Sequence, residues 1–171
     1  QGKTGLALKD LGAMKEEKLS PVEIATKKNL MGVINFSQKR YEASAKNFEE
    51  ALTLAKDDPG LNAQIYLNLG SAYYKLNQNE KALSTLSLAN YKNLQDSEAK
   101  KFHQLYALLS QQLGKKEQGL SALIRSLEDK KSISELGSEA RFTQVEEQFK
   151  KLSSSERVRL LEEFDQEKNL A

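Results

Sequence analysis

The chain has 171 residues, of which 39% are hydrophobic and 29% are charged, and its formal net charge is +2. That composition provides enough apolar material for the core of one soluble domain, but too little positive charge for the phosphate backbone of a nucleic acid. It contains no cysteine, which excludes disulfides, thiolate metal sites and cysteine nucleophiles. No apolar run approaches the roughly 18–20 residues of a membrane span.

The first residue is Gln1 rather than methionine, and nothing resembling a signal peptide follows it. We therefore expect a chain that was processed, or cut from a longer protein. Its compartment stays open, since both the cytoplasm and a bacterial periplasm suit a soluble domain of this kind.

Three helix-like segments, residues 41–52, 80–89 and 117–127, repeat along the chain. Aligning Phe48, Leu86 and Leu123 gives steps of 38 and 37 residues. A further step of 37 residues back from the first segment reaches an apolar stretch that contains Ala7, Leu11 and Met14. The chain is therefore predicted to open inside the second helix of an earlier unit.

Each repeated segment is preceded by another predicted helix, and these helices share a small residue at Gly32, Gly70 and Ala107. A glycine inside a helix costs about 1 kcal/mol relative to alanine. Glycines at matching places therefore predict that a neighbouring helix passes too close for a side chain. Short polar turns at 37–40, 76–79 and 113–116 then predict antiparallel hairpins.

Two helix starts carry the same local pattern. Ser20 and Glu23, with Pro21 between them, have the spacing of a capping box. Ser153 and Glu156 repeat that spacing near the end of the chain.

The pattern Tyr-Glu-x-x-Ala-x-x-Phe-x-x-Ala-Leu, which begins at Tyr41, resembles the tetratricopeptide repeat. Gly70 and Ala82 occupy positions typical of that family, and Asp57-Asp58-Pro59 resembles its turn between repeats. The third unit departs from the pattern, because Gln111 stands where an aromatic residue is expected. The period also exceeds the usual length of about 34 residues, which insertions of three or four residues between hairpins would explain. The resemblance covers roughly residues 5–128.

This resemblance implies an all-α fold, a right-handed α-solenoid of tetratricopeptide-like antiparallel helical hairpins with a C-terminal pair of capping helices. Residues 1–19 are predicted to be the second helix of a truncated preceding repeat. Repeats 1, 2 and 3 are predicted over 20–58, 59–95 and 96–131, and a degenerate fourth hairpin or capping helices over 132–171. The apolar spacing of Phe142, Val145, Phe149 and Leu152 supports that last pair, with a linker helix to a further domain as the alternative.

Candidates for chemistry are few. Gly2-Lys3-Thr4-Gly5 lacks the earlier glycine of a phosphate-binding loop, and no nucleophile is placed beside His103, the only histidine. The acidic pairs at 49–50, 146–147 and 162–163 suit a solvated surface with lysine partners such as Lys46 and Lys150. We therefore predict no catalytic, cofactor-binding or metal-binding residues, and no enzymatic activity.

In the tetratricopeptide family the first helix of each hairpin lines a concave groove. The resemblance therefore implies a partner groove that is neutral and rich in amides, formed by Asn29, Val33, Phe36, Gln64, Asn68, Ser71, Tyr74, Lys75, Lys101, Gln104, Leu108 and Gln111. Amides can bond a peptide backbone, and Phe36 and Tyr74 could anchor side chains. The alternative is that these positions are polar only because they meet water.

Some family members clamp the acidic C-terminus of chaperones through lysines, arginines and asparagines. Asn68 and Lys101 match that pattern, whereas Asn29, Val33 and Leu105 do not. We therefore predict no binding of such tails.

The leading functional hypothesis is a module that binds a peptide or protein in the concave groove. The alternatives are a structural or regulatory segment of a larger protein, by analogy with bacterial envelope lipoproteins, and a scaffold that self-associates through the solenoid ends. No nucleic acid, cofactor or membrane span is expected.

Overall fold

The computed structural model describes residues 2–125 and 138–169, and within them it contains helices and turns but no strand. The predicted all-α fold is confirmed. The chain divides into two compact units, Gln1–Glu98 and Ala99–Ala171. None of the described helices combines the length and apolar character needed to cross a membrane.

In the first unit, α1 spans Gly2–Ala13, α2 Pro21–Ser37, α3 Tyr41–Leu54, α4 Pro59–Lys75 and α5 Asn79–Leu86. Helix α6, Asp96–Gln112, begins at the end of that unit and runs into the second, which continues with α7 Lys116–Arg125, α8 Ser138–Lys150 and α9 Ser154–Asn169. The predicted boundary between residues 131 and 132 lies outside the described residues. The other repeat boundaries stay predictions, and α2, α4 and α6 begin at Pro21, Pro59 and Asp96.

Side chains cap the N-termini of α2, α4 and α9. At α2 the backbone N–H of Glu23 donates to Ser20 Oγ at 3.3 Å, and the N–H of Ser20 donates to Glu23 Oε2 at 2.8 Å. These bonds form the predicted capping box, and the donation from Ser20 lowers the pKa of the Glu23 carboxyl. Ser153 and Glu156 form the corresponding pair of bonds before α9. At α4, Asp58 accepts from the N–H of Leu61 at 2.9 Å.

Each of the first three hairpin turns contains one residue with positive φ. These residues are Lys39, Asn77 and Gly114, which lie 38 and 37 residues apart. At the first turn the N–H of Lys39 donates to Phe36 and the N–H of Arg40 donates to Asn35, each at 2.9 Å. This bonding pattern is a Schellman motif, which satisfies the last carbonyls of the helix. Glycine and asparagine adopt the conformation readily, whereas Lys39 shows that the turn forms without either.

Glycines mark the closest approach of the two helices in the first two hairpins. A Cβ at Gly32 would lie 2.6 Å from Cδ1 of Phe48, whose ring is 1% exposed, and one at Gly70 would lie 2.7 Å from Cγ of Leu86. Ser44 Oγ also donates to the carbonyl of Gly32 at 2.8 Å. The steric reason predicted for these glycines is therefore confirmed.

In the third hairpin the glycine at the helix contact lies on the second helix, α7, rather than on the first. A Cβ at Gly119 of α7 would lie 3.3 Å from the carbonyl oxygen of Ala107 and 3.2 Å from Cβ of Ser110, both on α6. Ala107 stands where Gly32 and Gly70 stand in the earlier hairpins. The two helices of the third hairpin therefore also approach closely, with the glycine on α7 instead of α6.

The second helix of the second hairpin is shorter than the sequence predicts. Helix α5 ends at Leu86 rather than Ala89, and Leu88 beyond it is 65% exposed. Ser84 Oγ donates to the carbonyl of Lys81 and Ser87 Oγ to that of Ser84. Such side-chain bonds compete with the helical backbone. In the predicted segment 117–127, residues 126 and 127 lie outside the described residues.

The acidic pair of α3 joins neighbouring helices instead of pairing with Lys46 as predicted. Glu50 binds Lys28 of α2 at 2.7 Å. Glu49 accepts from the hydroxyl of Tyr73 and lies 3.6 Å from Lys81. The prediction for Lys150 is confirmed, because its ammonium lies 2.6 Å from Glu146. The sequence does not reveal cross-helix pairing, since it depends on which helices pack together.

In the second unit, α8 and α9 pack on α7. Leu120, Leu152 and Leu160 are each at most 4% exposed, with Val145 and Phe149 packed against them. Arg125 of α7 binds Glu163 of α9 at 2.8 Å. The predicted C-terminal pair therefore buries part of its apolar surface against the preceding helix. The side chain of Phe142 lies outside the described residues.

We expect Gly32→Ala to destabilise the chain by about 1–2 kcal/mol, because overpacking against Phe48 costs about 1–3 kcal/mol and the better helix propensity of alanine recovers up to about 1. Denaturant unfolding followed by circular dichroism measures this change. Gly5→Ala is the matched control, since a Cβ there would meet nothing within 4 Å. Equal stabilities of the two variants would contradict the steric explanation.

Candidate functional site

The predicted groove residues of the first unit lie on α2 and α4, which are the first helices of two successive hairpins. Val33 is 43% exposed and Lys75 is also exposed, whereas Asn29 is only 5% exposed. The remaining ones are half-buried: Phe36, Gln64, Asn68, Ser71 and Tyr74. We call the surface formed by Leu30, Val33, Asn68, Ser71 and Lys75 the first-helix face.

A chain of amide hydrogen bonds joins the two helices beneath this face. Asn68 Nδ2 donates to Asn29 Oδ1 at 3.0 Å, and Asn29 Nδ2 donates to Gln64 Oε1 at 3.2 Å. Gln64 Nε2 then donates to Glu98 Oε1 at 2.6 Å. Each amide donates to the next group in this hydrogen-bond network, and the network ends at the Glu98 carboxylate, which is its strongest acceptor.

The network fixes what each amide offers to a partner. Every side-chain amide has two N–H donors, and each of the three uses one of them inside the network. Among the described residues, no donor bonds to the oxygen of Asn68. Asn68 therefore presents one acceptor and one donor at the partly exposed end of a fixed network, whereas Asn29 is too buried to meet a partner directly.

The first-helix face has an apolar part that the sequence analysis missed. Leu30 of α2 is 47% exposed and lies three residues before Val33, so the two side chains are neighbours on the helix surface. Val33 also lies one turn after Asn29, which places both apolar residues beside the amide network. The repeat did contain the signal, since Leu30 aligns with Asn68 at a step of 38 residues.

The predicted aromatic anchors already have partners within the chain. Phe36 packs edge-on against Tyr41 with ring centroids 5.2 Å apart. The ammonium of Lys75 lies 5.6 Å from the ring centre of Tyr74. The hydroxyl of Ser71 donates to the carbonyl of Leu67 at 2.8 Å, which leaves only its acceptor lone pairs for a ligand. Leu30 and Val33 are therefore better apolar contact points than Phe36.

In the second unit, the four predicted groove residues are all exposed: Lys101, Gln104, Leu108 and Gln111. Gln104, Leu108 and Gln111 line a cleft of about 300 Å³, whereas Lys101 does not. Helix α7 contributes its floor through Gly119, Leu120 and Leu123, and α8 contributes Gln144 and Gln148. The sequence did not reveal the residues from α8, because the repeat is degenerate there.

The cleft carries little charge. Lys116 is the charged residue among the described residues that line it. Its ammonium forms no ion pair with another described residue, although it is near enough to contribute to the lowered pKa of Glu156, whose main cause is the hydrogen bond to the Ser153 side chain. Two acids on the surrounding helices are held elsewhere, since Glu117 binds Arg159 and Glu163 binds Arg125.

The sequence candidates for chemistry lie on helices among the described residues. No group of histidines and acids among them could hold a metal ion. His103 is 6% exposed and its ring lies edge-on to Phe102, with centroids 5.3 Å apart. Gly2-Lys3-Thr4-Gly5 lies at the start of α1, and the side chains of residues 2–4 lie outside the described part.

Comparison with known families supports the repeat. Residues 23–89 match the tetratricopeptide repeat model, a range that runs from the first turn of α2 to just beyond α5. The predicted resemblance is confirmed over this range. No curated protein matches the sequence.

We expect Asn29→Ala to reduce stability by about 1–3 kcal/mol, because it removes two hydrogen bonds at a buried position and leaves their partners unsatisfied. The measurement is again denaturant unfolding. Thr26→Ala is the matched control, since Thr26 is an exposed residue one turn earlier on α2. The network would have no energetic role if Asn29→Ala were as stable as the control.

Proposed function

We propose that this chain is a non-enzymatic module that binds a peptide or protein partner in a concave groove that includes the first-helix face. Tetratricopeptide repeats in general mediate protein–protein interactions, and residues 23–89 carry such repeats. The observation that carries the proposal is the combination on α2 and α4 of exposed apolar side chains with oriented amide groups.

The apolar part of the face supplies binding energy. Leu30 and Val33 are 47% and 43% exposed, so each keeps apolar surface that a partner can remove from water. Burial contributes about 25 cal/mol per Å² of apolar surface. Single exposed leucine and valine side chains are common on protein surfaces. These two support a binding surface because they lie beside a network of oriented amide groups.

The polar part of the face supplies orientation. Asn68 offers one donor and one acceptor, which match the carbonyl and N–H of one residue in an extended peptide. Because its side chain is already held by Asn29, binding does not have to immobilise it, which lowers the entropic cost of association.

The face also favours some partners over others by charge. Lys75 is the charged residue of the face as defined, and Glu98 beneath it already accepts from Gln64. A ligand made mainly of uncharged residues therefore loses little solvation there, whereas a strongly charged ligand finds few partners. This pattern agrees with the prediction that the acidic tails of chaperones are not ligands.

We expect Val33→Glu to lower the affinity for a captured partner at least tenfold, because it places an unpaired charge in the apolar part of the face. The partner is first cross-linked to the chain in a lysate, identified and purified, and its affinity is then measured by fluorescence anisotropy. Leu88→Glu is the matched control, since Leu88 is 65% exposed but lies beyond the end of α5. If Leu88→Glu lost binding and Val33→Glu did not, the partner would bind outside the first-helix face.

Exposed apolar residues of α9 favour a second candidate function, a structural segment or a self-associating scaffold. Val158 and Leu161 are 53% and 60% exposed and lie three residues apart, so they form an apolar strip on that helix. If a second copy covers this strip, the mass measured by sedimentation velocity rises with concentration, and Leu161→Glu abolishes the rise. A constant monomer mass would exclude self-association.

A further inference from the structure

The sides of the cleft in the second unit are formed by amides. Gln104 and Gln111 lie on one side, on α6, and Gln144 and Gln148 on the other, on α8. Each amide group both donates and accepts. Two facing rows of such groups can bond the two edges of an extended backbone, whose N–H and C=O groups project to either side.

The spacing of the two glutamines on α8 suits an extended chain. Gln144 and Gln148 are four residues apart, which corresponds to about 6 Å along a helix. Residues that face the same side of an extended peptide are about 6.6 Å apart. Gln104 and Gln111 are separated by seven residues, or about 10.5 Å, which is about three residues of extended chain, so their backbone spacing does not match two groups on the same edge of a peptide.

The floor of the cleft is apolar. Leu120 is 2% exposed, Leu123 is half-buried, and Leu108, at 37% exposed, lies between Gln104 and Gln111 along α6. The volume of about 300 Å³ is at the lower end for ligand pockets, which hold about 300–1,000 Å³. A space of that size and lining suits an aliphatic side chain carried by a peptide.

Charge narrows the class of peptide further. Lys116 is the charged residue among the described residues that line the cleft. Its ammonium forms no ion pair with a described residue, although it contributes to the lowered pKa of Glu156, whose main cause is the Ser153 side chain. A basic residue beside the aliphatic one would therefore meet only repulsion from Lys116. An acidic residue there would meet a cation that is available to pair with it.

We propose that this cleft is a specificity pocket for an extended peptide segment in which an aliphatic residue is followed by an acidic one. The aliphatic side chain inserts against Leu108, Leu120 and Leu123, the glutamines bond the flanking backbone, and the acidic side chain pairs with Lys116. The inference rests on the proposed function, since it names the ligand class that one part of the groove selects.

The test is an NMR titration of the ¹⁵N-labelled chain with blocked hexapeptides. The first probe has four serines with a central leucine followed by aspartate; in the second probe serine replaces the leucine, and in the third lysine replaces the aspartate. We expect the first probe to shift the side-chain amide signals of Gln104, Gln111, Gln144 and Gln148 with saturation. We expect binding of the second probe to be at least tenfold weaker, since it lacks the buried leucine.

Two substitutions locate the interaction. Leu108→Glu should weaken binding of the first probe at least tenfold, and Leu88→Glu should leave it unchanged, because Leu88 is an exposed leucine outside the cleft. Lys116→Glu should weaken binding of the first probe about two- to fivefold, as expected for a partly exposed ion pair, and should strengthen binding of the lysine probe. Circular dichroism confirms that each variant is folded.

Equal binding of the leucine and serine probes, or unchanged binding by Leu108→Glu, would overturn the inference. So would shifts confined to residues outside the cleft. If the probes fail but Val33→Glu still weakens partner capture, the specificity pocket is wrong and the proposed function stands. If the leucine probe binds the cleft but Val33→Glu leaves the affinity for the captured partner unchanged, the proposed role of the first-helix face fails.

Discussion

The close approach of the two helices within each hairpin is the constraint on which the structure depends. At Gly32 the ring of Phe48 occupies the space where a Cβ would lie, and at Gly70 the side chain of Leu86 does the same. A glycine inside a helix costs about 1 kcal/mol in propensity, and burial of a phenylalanine or leucine offsets that cost. In the third hairpin Gly119 takes over this role from the first helix, which shows that the distance between helices matters more than which helix has the glycine.

Close packing within hairpins brings the first helices of successive hairpins side by side in the first unit. Asn29 and Asn68 lie 39 residues apart in the sequence, yet they bond at 3.0 Å. A buried amide is costly unless it is paired, so the network of Asn68, Asn29, Gln64 and Glu98 favours the one arrangement of α2 and α4 that satisfies it. The same bonds leave Asn68 oriented at the surface, which links the packing of the repeat to the binding proposed for it.

The two units present different surfaces for binding. In the first unit, Leu30 and Val33 are exposed on the first-helix face, and the amides beside them are already bonded to one another. In the second unit, the glutamines stand on either side of a cleft with an apolar floor and Lys116 beside it. In the proposed function the first surface makes a broad contact with an uncharged partner, and in the further inference the second distinguishes one side chain from another by its size and charge.

Much of the fold followed from the sequence alone, because its local rules act over a few residues. The capping boxes at Ser20 and Ser153, the glycines at the helix contacts and the tetratricopeptide pattern were all visible as spacings. Turn chemistry was only partly visible, since Lys39 adopts a conformation that asparagine and glycine favour. Tertiary structure alone decided that Glu49 and Glu50 bind Lys81 and Lys28, that Asn29 is buried, and that α8 completes a cleft with α6 and α7. Each of these depends on distances between residues far apart in the chain, which periodicity does not specify.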